Sequence, residues 1–294
     1  MTSVETTCSA LARNQSEPLY GSIAPAARWL LLEYRAPFGE DALADARVPA
    51  EVKAYLEALP NSKTLLIRQP GQREAVHRLR LYAVQAAASQ PAIFRIDFDH
   101  YEEILTLDLE NLLASRIVAP EAEPLYIVCA NGKRDQCCAR LGVPFYEALV
   151  EQLGGQVWQC SHIGGHRFAA TMLAFPHGDC YGYLDANDAP QMAAALQAGS
   201  LVLENWRGRA VMPQPAQAAE YYLRQALGLP LRDAIRFESA ANEGARWQSN
   251  WRVAGQRYRV HVHRGEREIV ADCHGLVRKA FPDFTLEQIE SLGE

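Results

Sequence analysis

No apolar run in this chain approaches the ~20 residues that a helix needs to cross a bilayer, so the sequence predicts no membrane helix. Its start, MTSVETTCSALARNQSEP, lacks a basic segment leading into an apolar core. That is not the pattern of a secretory signal, and the expected location is the cytoplasm. Basic residues are in no surplus: 29 Lys and Arg stand against 35 Asp and Glu, a net charge of −6. Such a balance argues against a general binder of nucleic acid or anionic membrane. There is no GxGxxG, no Walker loop and no CxxC, so phosphate-cradling loops and thioredoxin-type disulfide exchange lack their usual signatures. Internal repeats and low-complexity tracts are absent. No carboxylate pair stands out for glycoside chemistry.

What is present is enough to fold. At 294 residues, 49% of them hydrophobic and 22% charged, the chain is long enough for two or three domains with buried cores. Seven cysteines, an odd number in a chain with no visible secretion signal, suggest ligands or free thiols rather than a disulfide framework.

The chemistry concentrates between Cys129 and His166, in CANGKRDQCCARLG and VWQCSHIGGHRF. Cys129 and Cys138 are nine positions apart, and His162 and His166 are four apart. The run PLYIV leads into Cys129 and QVW leads into the His pair, so two strand ends would deliver two ligand loops to one sheet edge. Thiolate and imidazole are the ligands that iron–sulfur clusters and zinc take from proteins. Asn131-Gly132 supplies a tight turn, and Cys138 stands where a helix begins and its dipole favours a thiolate. The plain alternative makes Cys137 and Cys138 small core residues. It weakens because a His pair stands at the next strand end. The glycines of His162-Ile163-Gly164-Gly165-His166 cost a helix up to ~1 kcal/mol each, so a tight loop is predicted instead. An anion-binding glycine loop is the rival there. Cys137 and Cys160 are read as packing beside the site. His261 and His263 share one face of a strand, read as an exposed face rather than a metal pair. His177 lies in a turn; Cys273 and His274 receive no function.

Along the chain, residues 1–25 read as an irregular lead-in. Strands follow at 29–34, 63–67, 80–84 and 93–97, with a helix over 48–59, a further strand at 103–107 and a helix over 110–115. Beyond Glu121 the pattern sharpens: a strand at 125–128, a helix over 143–153, strands at 156–159, 168–175 and 180–184, and a helix over 188–198. That order, β-α-β-(ligand loop)-β-β-α, is the order of a thioredoxin-like half-open sheet. A helix over 214–227 stops at Gly228, and Ala254-Gly255 turns a hairpin between 247–253 and 257–263, with a third strand at 268–273. The expected fold class is α/β, in three parts. Residues 1–120 form an N-terminal α/β region, 121–200 the thioredoxin-like domain with the ligand loops, and 201–294 a helix-plus-strands region. The last either stands alone or returns to the N-terminal sheet.

The stretch CANGKRDQCCARLG with VWQCSHIGGHRFAATMLAFPHGDCYGYL resembles the sucrase/ferredoxin-like family over about residues 121–200, more weakly at Cys8-Ser9, Trp29 and Cys273. That resemblance implies a thioredoxin-like ferredoxin with a [2Fe–2S] cluster, Cys129 and Cys138 on one iron and His162 and His166 on the other. Asn131 departs from the histidine often found at its place and leaves the ligand set intact. The formal charges of a ferric pair, two sulfides and two thiolates cancel, whereas four thiolates leave the cluster negative. The potential is therefore expected above the plant-type ~−400 mV. Lys133, Arg134, Arg140 and Arg167 would push it the same way.

Three readings result. The first is an electron carrier working with a reductase or acceptor protein. The second is a structural Zn2+ site on the same four residues in an interaction protein. The third is a thiol oxidoreductase using Cys138 or Cys160.

Overall fold

The computed structural model describes residues 7–70, 78–87, 90–115, 123–273 and 277–293. The start of the lead-in (1–6), residues 121–122, His274 and Gly275 lie outside them.

In chain order the helices and strands are α1 (Cys8–Asn14), β1 (Arg28–Glu33), α2 (Ala50–Ala58), β2 (Ser62–Arg68), β3 (Leu79–Gln85), β4 (Ala92–Phe98) and α3 (Leu109–Ser115). Then come β5 (Leu125–Cys129), α4 (Gln136–Leu153), β6 (Val157–Cys160), β7 (Met172–Phe175), β8 (Asp179–Tyr181), α5 (Ala189–Gln197) and β9 (Trp206–Arg209). The chain ends with α6 (Gln214–Leu227), β10 (Arg236–Glu243), β11 (Arg246–Val253), β12 (Gln256–Val270) and β13 (Arg278–Gly293).

The fold is α/β, built on a nine-stranded sheet in the order β4-β3-β1-β2-β6-β5-β7-β8-β9. Strands β1 and β2 are parallel, as are β5 and β6; β2 meets β6 antiparallel, through Ile67–Cys160 and Arg68–Gln159. Hydrogen bonding thus continues from the N-terminal strands into those that carry the ligand loops. Both faces of this sheet are buried, which is why Trp29-Leu30-Leu31-Leu32 shows no polar alternation. Trp29 and Leu31 join one core with Ile127 and Trp158. Leu30 and Leu32 join another with Val52 and Leu56 of α2 and Leu109 and Leu113 of α3. Tyr126 and Val128 pack against Phe145 and Leu149 of α4 and Met192 of α5. Strands β10–β13 form their own antiparallel sheet, in which Trp251, Val260 and Val262 pack on Ala216, Ala219 and Leu223 of α6.

Several boundaries differ from the sequence reading. The lead-in is helical at Cys8–Asn14, because Thr7 accepts a hydrogen bond from Ala10 N (3.3 Å) and caps the helix. Residues 103–107 form no strand. Tyr101–Thr106 is a 3-10 turn, closed by Glu103 accepting from the backbone N–H groups of Asp99 and His100 (2.9 and 2.7 Å). The helix expected from Val143 begins at Gln136 instead, since Asp135 caps it, and Pro144 is accommodated inside. Strand β7 starts only at Met172, after a 3-10 turn at His166–Phe168. Strands β9, β10 and β13 were not foreseen, and β12 runs without a break to Val270, absorbing the first residues of the separate strand expected at 268–273. His261 is buried rather than exposed; its Nε2 lies 3.6 Å from Glu290, while exposed His263 lies 3.7 Å from Glu287.

Candidate metal centre

Two loops at neighbouring strand ends build the site. Cys129 is the last residue of β5, in register with Cys160 of β6. Its N–H donates to Thr171 O (3.0 Å), which holds the strand end against the chain leading into β7. Asn131 then makes the turn: its side-chain oxygen accepts from the N–H groups of Lys133 and Arg134 (3.2 and 3.3 Å), and its amide donates to Gly39 O (2.9 Å). Asp135 starts α4 by accepting from Cys137 N at 2.9 Å. Helix geometry sends the next side chain, Cys138, back toward Cys129, and Cys137 away from it.

The second loop leaves β6 at Cys160 and turns through Gly164 (φ +103°) and Gly165 (φ +75°). These values are unfavourable for other residues and impossible in a right-handed helix, so the His pair sits on a loop as the glycines predict. Arg207 of β9 locks that loop, a role nothing in the sequence signalled. Its guanidinium donates to Gly164 O (3.1 Å) and to the hydroxyl and carbonyl of Ser22 (2.9 and 3.0 Å). A Cβ on Gly165 would stand 2.5 Å from that guanidinium.

The Sγ atoms of Cys129 and Cys138 lie 3.8 and 3.7 Å from Nδ1 of His162, and all three ligand atoms are within 4.8 Å of one another. His166 falls outside this trio. Its ring stands edge-on to His162, centroids 5.2 Å apart, and its Nδ1 lies 2.7 Å from Asp135 Oδ2. The cysteines are buried, whereas both imidazoles are partly open to solvent. Cys138 S–H donating to it, together with His162, holds the Cys129 thiol well below its ordinary pKa. Cys138 is pushed well above, by Cys129 and by burial. Burial raises the Asp135 carboxyl, but His166 and the N–H groups of Cys137 and Cys273 outweigh it and keep the group ionised below the usual carboxylate range.

The Nδ1–Oδ2 contact is close without hydrogen-bond geometry; a carboxylate beside one ring nitrogen favours the tautomer protonated there, with the Nε2 lone pair free for a metal. This is the outer-shell arrangement of metal-binding histidines. Asp135 was the residue the sequence reading missed; its position just ahead of the Cys pair was the available signal. Cys160 packs in the core beneath the site, and burial raises its pKa, so it is no ready nucleophile. Cys137 points into a different cluster with Cys8 and Cys273. Of the four basic residues near the loops, Arg167 is buried and its charge is met by Glu17 (2.9 Å). Arg134 reaches Glu40 at 4.0 Å. The net positive field at the site is weaker than the sequence suggests.

The donor set suits a thiophilic, imidazole-binding metal or an iron–sulfur cluster: two buried sulfurs, two imidazoles and a supporting carboxylate. The family model described as sucrase/ferredoxin-like matches residues 19–208, more than half of the chain, including both ligand loops. Neither a curated protein nor a solved structure gives a significant match.

Proposed function

The chain belongs to the sucrase/ferredoxin-like family, and from that premise we propose that it is a one-electron carrier with a [2Fe–2S] cluster on Cys129, Cys138, His162 and His166. The observation that carries this reading is the convergence of Cys129, Cys138 and His162 within 4.8 Å, with the His166 ring beside them and tied to Asp135. When bound, such a cluster supplies reversible uptake and release of one electron.

The protein's own part is to bind, to exclude water and to expose one edge. Cys129 and Cys138 sit at the closed end of the site, under the core of the nine-stranded sheet. His162 and His166 face outward, so a reductase or acceptor protein would meet the imidazole edge. Beside His162 lies a cavity of about 250 Å³ lined by Glu40, Asp41, Thr64, Arg134 and Ser161. Ala42, Leu43 and Leu65 complete its lining, so it mixes apolar surface with charges of both signs, suited to a brief docking contact.

A second reading has a specific observation behind it. Thiolate and imidazole ligands on one tetrahedral zinc, at about 2.3 and 2.0 Å, stand about 3.6 Å apart. The observed 3.7 and 3.8 Å separations lie close to that edge length. A structural zinc on these residues is therefore the alternative. The third reading, thiol exchange through Cys138 or Cys160, has less behind it, because both thiols are buried and their pKa values are raised.

The deciding experiment is the visible spectrum of anaerobically purified protein, with iron, sulfide and zinc measured on the same sample. Two irons and two sulfides per chain, with EPR of the reduced form showing nitrogen coupling, are expected. The potential should lie above ~−400 mV, toward the Rieske range of about −150 to +300 mV. Colourless protein with one zinc, unchanged by anaerobic reconstitution, overturns the electron-carrier reading.

A further inference from the structure

We propose that Cys8, Cys137 and Cys273, with Asp135, form a second metal site, for a zinc-class divalent cation. The three sulfurs come from the start of α1, the first turn of α4 and the chain just beyond β12. They stand 3.7 Å apart for Cys8 and Cys137, 3.4 Å for Cys137 and Cys273, and 3.3 Å for Cys273 and Cys8. Three thiolates on one tetrahedral zinc, at about 2.3 Å each, stand about 3.8 Å apart. The triangle needs to open by only a few tenths of an ångström to admit the ion. Both carboxylate oxygens of Asp135 lie 4.0 Å from Cys8 Sγ, and the four ligand atoms are all within 4.8 Å of one another.

A disulfide accounts for this arrangement less well. It would join two sulfurs and leave the third over. Here all three separations are similar, as around a shared ion. Cys8, Cys137 and Asp135 are buried and Cys273 half-buried. Three sulfurs and a carboxylate gathered away from water form a donor set that a cation completes. A cavity of about 120 Å³, lined by Thr7, Ser9, Ala10, Arg13, Cys137, Arg140 and Leu141, opens beside Cys137.

The consequence is a clasp. Cys8 and Cys273 are 265 positions apart, and both lie outside the family-matched residues 19–208. The ion would tie α1 and the end of β12 to α4, the helix that carries Cys138. Asp135 touches both centres, at His166 Nδ1 (2.7 Å) and at Cys273 N (3.1 Å).

The test uses the full chain, reduced, in three forms: wild type, Cys8→Ser/Cys273→Ser and Cys129→Ser/Cys138→Ser. Zinc affinity is read by competition with a chromophoric chelator. The Cys129→Ser/Cys138→Ser protein should still hold one zinc, whereas Cys8→Ser/Cys273→Ser should lose that ion by at least about a hundredfold in affinity. The first of these variants separates this site from the proposed cluster, whatever the cluster's fate. A readout that needs no variant is zinc protection of Cys8 and Cys273 from alkylation in wild-type protein, mapped by peptide mass. Protection of both is expected. Failure of the Cys129→Ser/Cys138→Ser protein to hold a zinc, or unprotected Cys8 and Cys273 in wild-type protein at saturating zinc, overturns the proposal.

Discussion

Gly142 of α4 packs so closely on the end of β5 that a Cβ at this position would stand 2.0 Å from the carbonyl oxygen of Cys129. The obstacle is backbone, so it cannot swing aside as a side chain would. The absent side chain sets the separation between the helix bearing Cys138 and the strand bearing Cys129. Gly142→Ala gains up to ~1 kcal/mol of helix propensity, yet must push the helix away at an overpacking cost of ~1–3 kcal/mol. The expected result is a lower melting temperature together with at least about a tenfold drop in metal or cluster retention. An alanine variant as stable and as well loaded as wild type would show that the spacing is not critical.

Two of the jobs of Asp135, both beside the His162/His166 centre, can be separated. It caps α4 through Cys137 N and stands beside His166 Nδ1. Asparagine caps a helix about as well as aspartate, so Asp135→Asn should leave the helical circular dichroism unchanged. It removes the negative charge 2.7 Å from His166 Nδ1. Metal release from the His162/His166 centre should then speed up about 10–100-fold, as for lost outer-shell partners elsewhere. Release at the wild-type rate would rule out this support for His166.

Far from that centre, Glu220 of α6 joins two buried arginines. Its Oε1 accepts from Arg209 Nη2 (2.7 Å) and from Nε and Nη2 of Arg224 (2.9 and 2.7 Å), all within the protein. Arg224 also donates to the carbonyls of Leu229, Leu231 and Arg232, so this network sets how the chain leaves α6. Glu220→Gln leaves buried Arg224 without its carboxylate and Arg209 with only the more distant Asp179. A loss of about 3–5 kcal/mol in urea-unfolding stability is expected, with metal content unaffected in the folded protein. A loss below ~1 kcal/mol would mean that the arginine charges are met elsewhere.

What the sequence revealed follows from where the signals are local. Strands β1 to β4 were legible because buried apolar runs bounded by turns have few other interpretations. Helix α6 was found end to end, since Gly228 stops it in a left-handed conformation (φ +65°). The glycine loop between His162 and His166 was legible too, because two adjacent glycines exclude a stable helix. Asp135 was not, for it stands among Lys133, Arg134 and Gln136 and reads as one more solvated loop charge. Arg207 was hidden because its partners, Ser22 and Gly164, are distant in sequence. The gathering of Cys8, Cys137 and Cys273 depends on the path of β12 across the molecule, and no spacing rule encodes that. In β13, Pro282 and the scattered charges mask the pairing with β12 that defines the strand.

The turn between β7 and β8 makes the stability depend on pH in a predictable direction. His177 sits there half-buried, and burial lowers its pKa below the ordinary 6.5, with Arg232 adding to the effect and Asp179 opposing it. As pH falls past 6.5 the unfolded chain takes up this proton before the folded protein does, so the unfolded state gains relative to the native one. The His177 contribution is therefore fully present above the ordinary value and is lost as pH drops through the lowered one. Arg232 stays paired with Asp179 (2.7 Å) across this window, because the Asp179 carboxyl is itself held low: burial raises it, but Arg232 and Arg209 more than compensate. His177→Asn removes the titrating ring and leaves that ion pair in place. Unfolding free energies measured at several pH values between about 5 and 8 should fall toward acid more steeply for wild type than for His177→Asn. Parallel curves would mean that the ring is as well solvated in the folded protein as in the unfolded chain.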